Sequence, residues 1–210
     1  MYLSNGKRLK KVIYQLLLKP QNMPRYFWHI LTQPTPLQQK LPWWSYDAIY
    51  YLKSLRFESA FEWGSGGSTL FLSKRSKHLT SIENDEGWYE LLKQKLSSNQ
   101  NSNITLLKRK IDLSSPENFI RSEYLNSLDK KYDFIAIDGE DHFGPDSFWS
   151  ARVHCFERAQ NWINPKGIIV VDDSWRYPEI TSKSHANMIL ECEGLGPSRK
   201  GVTKTDIHIY

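Results

Sequence analysis

The chain has 210 residues, 40% hydrophobic and 13% aromatic, and a formal net charge of +5. That length suits one domain with a short extension, and the composition argues against wholesale disorder. No apolar run reaches the roughly 18 residues of a membrane-spanning helix. The two cysteines, Cys155 and Cys192, form no CxxC and join no Cys/His cluster, which argues against a disulfide framework or a structural zinc site and points to a reducing, cytoplasmic setting.

The charge is uneven along the chain. Residues 1–46 hold seven Lys or Arg and no acid, leaving 21 basic against 23 acidic residues in the rest. Lys7, Arg8, Lys10 and Lys11 precede an apolar run, and Leu9, Val12, Ile13, Leu16 and Leu17 recur at helical spacing. This predicts a basic amphipathic helix. Two readings of it stay open: a helix packed on the domain with solvated lysines, or peripheral contact with an anionic membrane surface or polymer. Pro20, Pro24, Pro34, Pro36 and Pro42 then predict a connector over 20–42 with at most short helical pieces. Residues 1–42 therefore read as a basic, Pro-rich extension and 43–210 as the main domain. A helix is expected over 43–55, with Trp44, Ala48, Tyr51, Leu52 and Leu55 on one face.

From Glu58 the pattern alternates. Strands are expected at 59–63, 78–83, 103–108, 132–138 and 167–172, and helices at 68–76, 85–97 and 146–162. The fourth and fifth strands are apolar enough to be buried on both faces, as central parallel strands are. Strands alternating with helices define a doubly wound α/β sheet. Residues 202–210 alternate polar and apolar and suit an antiparallel terminal strand. Gly194-Leu195-Gly196-Pro197 reads as a turn before it. Cys155 reads as a small packed side chain within a helix.

Phe61-Glu62-Trp63-Gly64-Ser65-Gly66 joins a strand to a helix through a glycine turn, and Glu83 ends the next strand seventeen residues after Gly66. Glycines let a backbone approach a ligand, and the second carboxylate can accept from ribose hydroxyls. Acids close four strands: Glu62, Glu83, Asp138 and Asp172, with Asp173 next. Ligands of open α/β sheets sit beyond such strand ends. The turn lacks the third glycine of GxGxxG, where Thr69 stands, and no Gly-Lys-Ser/Thr follows. The pattern resembles the class I S-adenosylmethionine-dependent methyltransferases over about residues 43–210. The matching motifs are Glu62-Trp63-Gly64-Ser65-Gly66, Glu83, Asp138-Gly139, and the run from Gly167 to Asp173. The resemblance implies a mostly parallel seven-stranded sheet with an antiparallel C-terminal strand. It places Glu62, Gly64, Ser65, Gly66, Ser68, Glu83, Asp112 and Asp138 around the cofactor, with Ser68 or Thr69 alternatively only capping the first helix.

Methyl transfer from a sulfonium leaves the protein to bind, align and deprotonate the acceptor. Asp138, His142 and Asp172 are the catalytic candidates; His142 sits in the Asp138–Gly144 loop and has a near-neutral ordinary pKa. Acids after the fourth and fifth strands also resemble metal-dependent O-methyltransferases, which implies Mg2+ on Asp138, Asp172 and Asp173. The alternative is that Asp138 and Asp172 only terminate their strands while Asp173 caps the following segment. Arg152 is expected either to bind an acidic substrate group or to lie solvated on its helix, and Trp43, Trp44, Trp175 and Tyr177 to wall an acceptor pocket or to pack in the core. The implied activity is O-methylation of a small-molecule, sugar or glycan hydroxyl, with nucleic acid a minor option because the basic character is confined to one end. The competing readings are an NAD(P)-dependent oxidoreductase, which lacks a recognisable Tyr-xxx-Lys pair here, and a non-catalytic methyltransferase-like binding domain.

Overall fold

The computed structural model describes residues 5–97, 102–142 and 148–210. Four helices precede the sheet: α1 (Asn5–Leu18), α2 (Met23–Thr32), α3 (Pro36–Gln39) and α4 (Tyr46–Leu52). The alternation follows as β1 (Phe57–Trp63), α5 (Gly67–Ser73), β2 (Ser76–Glu83), α6 (Glu86–Leu96), β3 (Ile104–Lys108), α7 (Pro116–Arg121), β4 (Tyr132–Ile137), α8 (Ala151–Gln160) and β5 (Ile163–Asp172). The chain closes with α9 (Pro178–Lys183), β6 (Met188–Leu195) and β7 (Val202–Ile209).

The seven strands lie in the order β3-β2-β1-β4-β5-β7-β6. All are parallel except β7, which runs antiparallel between β5 and β6. Side chains alternate across the strands. Phe61, Trp63, Ile135, Ile137, Ile169 and Val171 face one apolar core with α8. Ala60, Phe134, Ala136, Ile168 and Val170 face the other, beneath α1, α2, α4 and α5. The register brings Trp63 opposite both Ile82 and Ile137, and Ile137 opposite Val171. The acidic strand ends therefore share one edge of the sheet. The strand order reverses between β1 and β4, which is where ligands of such sheets bind.

Four expectations change. The 20–42 segment contains a ten-residue helix, α2, because Pro24 falls in its first turn, where a missing N–H costs nothing. The strand β6 takes in Gly194 and Leu195, which the sequence pattern assigns to a turn. Its Glu191, Glu193 and Gly194 are poor strand formers, and the ladder to β7 supplies the order. The fifth strand begins at Ile163, before a register shift, with Lys166 in the left-handed region. The helix expected over 43–55 is confined to α4, which the Ser45 hydroxyl caps by accepting from Ala48 N. The expected start of the later helix at Asp146, and residues 143–147 of the loop after β4, lie outside the described residues.

Candidate active site

The bend after β1 is built by close approach. Gly64 has φ +91°, and a Cβ there would stand 2.7 Å from the backbone of Asp138 and Gly139. Gly67 opens α5 so tightly against the preceding segment that a Cβ would meet Leu41 O at 2.1 Å. Thr69 closes the bend by accepting from Gly66 N at 2.9 Å. In this way Thr69 helps to cap the start of α5. Ser68 is buried beside it.

Glu83, at the end of β2, reaches back to this bend. Its Oε2 accepts from Ser65 N at 3.2 Å and Ser65 Oγ at 2.5 Å. Its Oε1 accepts from the backbone N–H groups of Asn84 and Asp85, each at 2.9 Å. Trp88 Nε1 donates to Ser65 O at 2.8 Å, and its indole stands beside Gly66. The glycine bend and the second-strand carboxylate thus meet, as the sequence spacing implies. Asn84 Nδ2 also donates to Glu140 at 2.5 Å, joining the loops on either side of β1.

Glu62 lies fully buried beneath α5 and accepts from Ser81 Oγ at 2.8 Å through Oε1. Its Oε2 is buried with no hydrogen-bond partner of ordinary geometry. Burial pushes its pKa up to about 7, although the Thr69, Ser68 and Ser81 hydroxyls pull it down. A buried, incompletely bonded carboxylate behind a glycine bend fits a ligand with a cationic donor, and S-adenosylmethionine carries an ammonium group. A ribose diol at Glu83 requires the Ser65 hydroxyl to release Oε2, which rotation about one side-chain bond allows. The described residues therefore fit this cofactor. Asp112, by contrast, is exposed four residues past β3 and caps its own turn, accepting from Ser114 N and Oγ, contacts that lower its pKa.

The other half of the acidic rim is already neutralised from within. Arg199, in the β6–β7 connection, donates through NH2 to Asp172 Oδ2 at 2.6 Å and through NH1 to Asp173 Oδ1 at 3.0 Å. Thr205 and Thr203 donate to the same two carboxylates, each at 2.9 Å. Burial raises the pKa of Asp172, with Asp138 adding to the rise and Arg199 opposing it. Burial also acts to raise Asp173, but Arg199 and Thr203 outweigh it and hold that pKa low. Arg152 donates to Gly139 O at 2.9 Å, Asp172 O at 3.0 Å and Asp138 O at 3.3 Å, and lies 3.5 Å from Asp138 Oδ1. It is neither solvated nor turned to a substrate: it ties the ends of β4 and β5 together.

Among the described residues no three His, Cys, Asp or Glu side chains form a metal-holding group. The donor set does not fit the implied Mg2+, because one guanidinium already takes an oxygen of Asp172 and of Asp173. Asp138 keeps its side chain 18% exposed at the rim, and burial raises its pKa against the pull of Arg152 and Arg199. His142 stacks on Trp149 with ring centroids 5.2 Å apart. Trp44 is fully buried, whereas Trp43 is 49% exposed. Tyr177 is buried and donates to Asp141 Oδ2 at 2.8 Å, while Asp141 Oδ1 accepts from Ala151 N at 2.7 Å and so anchors the start of α8. Cys155 is buried with its thiol pKa raised by desolvation, an inert packed side chain. Arg199, Thr203, Thr205 and Asp141 escaped the sequence reading, since no motif marks them and their partners lie far off in the chain or within a loop.

A doubly wound sheet with an antiparallel seventh strand, a glycine bend after β1 and a carboxylate after β2 define a class I S-adenosylmethionine-dependent methyltransferase fold. Residues 61–174 match the family described as "Methyltransferase domain", and the chain belongs to that family. No curated protein shows a significant sequence match. Among solved structures, the chain resembles the O-methyltransferase from Bacillus cereus in complex with SAH at 12% identity and a TM-score of 0.61, covering 95% of this chain and 98% of that one. It also resembles the T. thermophilus 16S rRNA N2 G1207 methyltransferase in complex with AdoMet and guanosine, at 13% identity and a TM-score of 0.54, over 78% of this chain and 41% of that one. A third likeness is the N-methyltransferase NodS from Bradyrhizobium japonicum WM9, at 15% identity and a TM-score of 0.50, over 75% and 88% of the two chains. At these identities the likeness concerns the fold, and the three include both an O-methyltransferase and N-methyltransferases.

Proposed function

We propose that the chain transfers the methyl group of S-adenosylmethionine to a hydroxyl oxygen of a small-molecule, sugar or glycan acceptor. One observation carries the cofactor half: Glu83 bonded to Ser65 in the glycine bend, with the unpartnered Glu62 Oε2 buried beside the same helix start. Glu83 would take the ribose hydroxyls, and Gly64, Ser65 and Gly66 the methionine part. When bound, the cofactor supplies a methyl group already activated for displacement. The protein's share is alignment and proton removal.

A hydroxyl must lose its proton on transfer, whereas a neutral amine attacks without prior deprotonation. The loop after β4 offers two acceptors for that proton, Asp138 at its start and His142 four residues on. This is what favours oxygen. Asp138 orients the acceptor and His142 takes its proton. Asp172 is fully buried and bonded to Arg199 and Thr205, so its part is to hold the rim in place. No step runs through Mg2+ in this reading, because Arg199 supplies the positive charge that Asp172 and Asp173 require.

Calorimetric titration with S-adenosylmethionine, S-adenosylhomocysteine and nicotinamide dinucleotides tests the cofactor, with binding of the first two expected. Preference for a dinucleotide overturns the reading in favour of an oxidoreductase. Formation of S-adenosylhomocysteine across a panel of sugar hydroxyl acceptors then tests the chemistry. Transfer to amines alone defeats the oxygen assignment.

A further inference from the structure

The helices α1 and α2 each bury one side on the domain and leave a second apolar side in water. On α1, Val12 and Leu16 enter the core, and Lys11 pairs with Glu193 at 2.9 Å. On α2, Tyr26 and His29 are buried, the Tyr26 hydroxyl donates to Lys200 O at 3.1 Å, and His29 Nδ1 lies 2.6 Å from the Tyr46 hydroxyl. Those contacts fix both helices on the body. They leave Leu9, Ile13 and Leu17 outside, spaced four residues apart on one side of α1. They also leave Phe27, Trp28 and Leu31 outside on α2. Leu17 is 70% exposed and Leu31 83%.

Scattered exposed leucines are ordinary, but a concentration of them is not. Of the fifteen large hydrophobic side chains exposed among the described residues, eight fall between positions 9 and 31. The same stretch carries no acidic residue, and Lys7 and Lys10 stand exposed on α1 among its apolar side chains.

We propose that these exposed sides of α1 and α2 rest together on an anionic lipid bilayer. The leucines, Ile13 and Phe27 enter the headgroup–acyl boundary, Trp28 sits at headgroup depth, and the lysines meet lipid phosphates. Charge selects the lipid over a second copy of the chain. A two-fold contact would press one basic stretch, with no acid of its own from 9 to 31, against its twin. An anionic polymer would answer the lysines but leave Leu17 and Leu31 in water. The segment after α2 leads straight to the site, since Pro36 O and Leu41 O close on Gly67 at the start of α5. The inference stands whatever the methyl acceptor is.

Co-sedimentation of the full chain with phosphatidylcholine vesicles, with and without phosphatidylglycerol, tests it. The protein is expected to pellet with the anionic vesicles, and to do so less at ~1 M salt, where charge attraction is screened. The double substitution Leu17→Asp with Leu31→Asp alters two side chains already in water, so an unchanged melting temperature is expected beside a drop in binding of roughly tenfold or more. Lys7→Gln with Lys10→Gln should lower binding roughly fivefold per charge. Wild-type protein left in the supernatant with anionic vesicles overturns the proposal, as does equal binding by the Asp variant. A dimer in sedimentation velocity that the Asp variant dissolves also overturns it, by assigning the face to a second copy.

Discussion

Replacing Glu62 with Gln isolates one physical term. The carboxyl is fully buried, and burial raises its pKa from an ordinary 4.5 to about 7. The folded chain therefore holds a proton over a range where the unfolded chain has lost it. Between about pH 4.5 and pH 7 the native state binds more protons, so stability falls as pH rises: the contribution is complete below 4.5 and gone above 7. At about 1.4 kcal/mol per pH unit, the rise corresponds to roughly 3 kcal/mol. Glutamine is neutral throughout and keeps the shape. Relative to wild type, Glu62→Gln should change stability little near pH 5 and gain up to about 3 kcal/mol near pH 8. Urea unfolding of both proteins without cofactor, at the two pH values, measures this. Asp138 and Asp172 also titrate abnormally, but they are common to both proteins and largely cancel in the difference. Parallel pH profiles for the two proteins would refute the reasoning, because they would mean that Glu62 ionises normally. A second readout follows from its proposed ligand. Near pH 6.5, S-adenosylhomocysteine should displace the Glu62 proton in wild type, which calorimetry in buffers of different ionisation enthalpy detects, and the Gln variant should show no such release.

Glu83→Ala should weaken S-adenosylhomocysteine binding by about 1.5–3 kcal/mol, the range for hydrogen bonds to a charged group; unchanged calorimetric affinity would remove Glu83 from the cofactor site. Gly64→Ala forces a side chain into φ +91° and onto the Asp138 backbone, so a lower melting temperature and lost cofactor binding are expected, and a variant with normal values would show that the bend is not tightly held. Arg199→Ala leaves Asp172 buried without its cation, a change that typically costs about 3–5 kcal/mol. The same variant should acquire Mn2+ binding, followed by electron paramagnetic resonance, that wild type lacks. A wild-type protein that binds one Mn2+ tightly would restore the metal reading.

The parallel core and the glycine bend that meets Glu83 were legible because local pattern encodes them. The runs in β4 and β5 are apolar on both faces, and the glycine bend and Glu83 lie within one β-α-β unit. Helix α2 and strand β6 were hidden for opposite reasons. In α2, five prolines across 20–42 signal a broken chain, and only the position of Pro24 in a first turn reverses the inference. In β6, Glu191, Glu193 and Gly194 lack strand propensity, and order comes from β7, which pairs with it from Val202 onward. Arg199 was hidden because its partners lie 26 and 27 positions away and no spacing rule connects them.

That hidden residue changes what the acidic rim means. Four carboxylates at neighbouring strand ends invite a cation, and sequence alone offers a metal as the neutralising charge. The fold instead divides the rim. On the β4–β5 side, Arg152 binds the strand-end carbonyls and Arg199 grips Asp172 and Asp173, so charge there is balanced before any ligand arrives. On the β1–β2 side no Arg or Lys pairs with Glu62 or Glu83 among the described residues. Hydroxyls and backbone N–H groups serve them, and Glu62 keeps one oxygen unbonded. A cationic ligand therefore gains most at β1, where burial has left a carboxylate undercompensated, and least at β5, where it would have to displace a guanidinium. Burial differs along the rim as well: Glu62 and Asp172 are fully buried and both are pushed up, Asp172 despite the Arg199 guanidinium, whereas the less buried Asp173 is held in its charged form by Arg199 and Thr203.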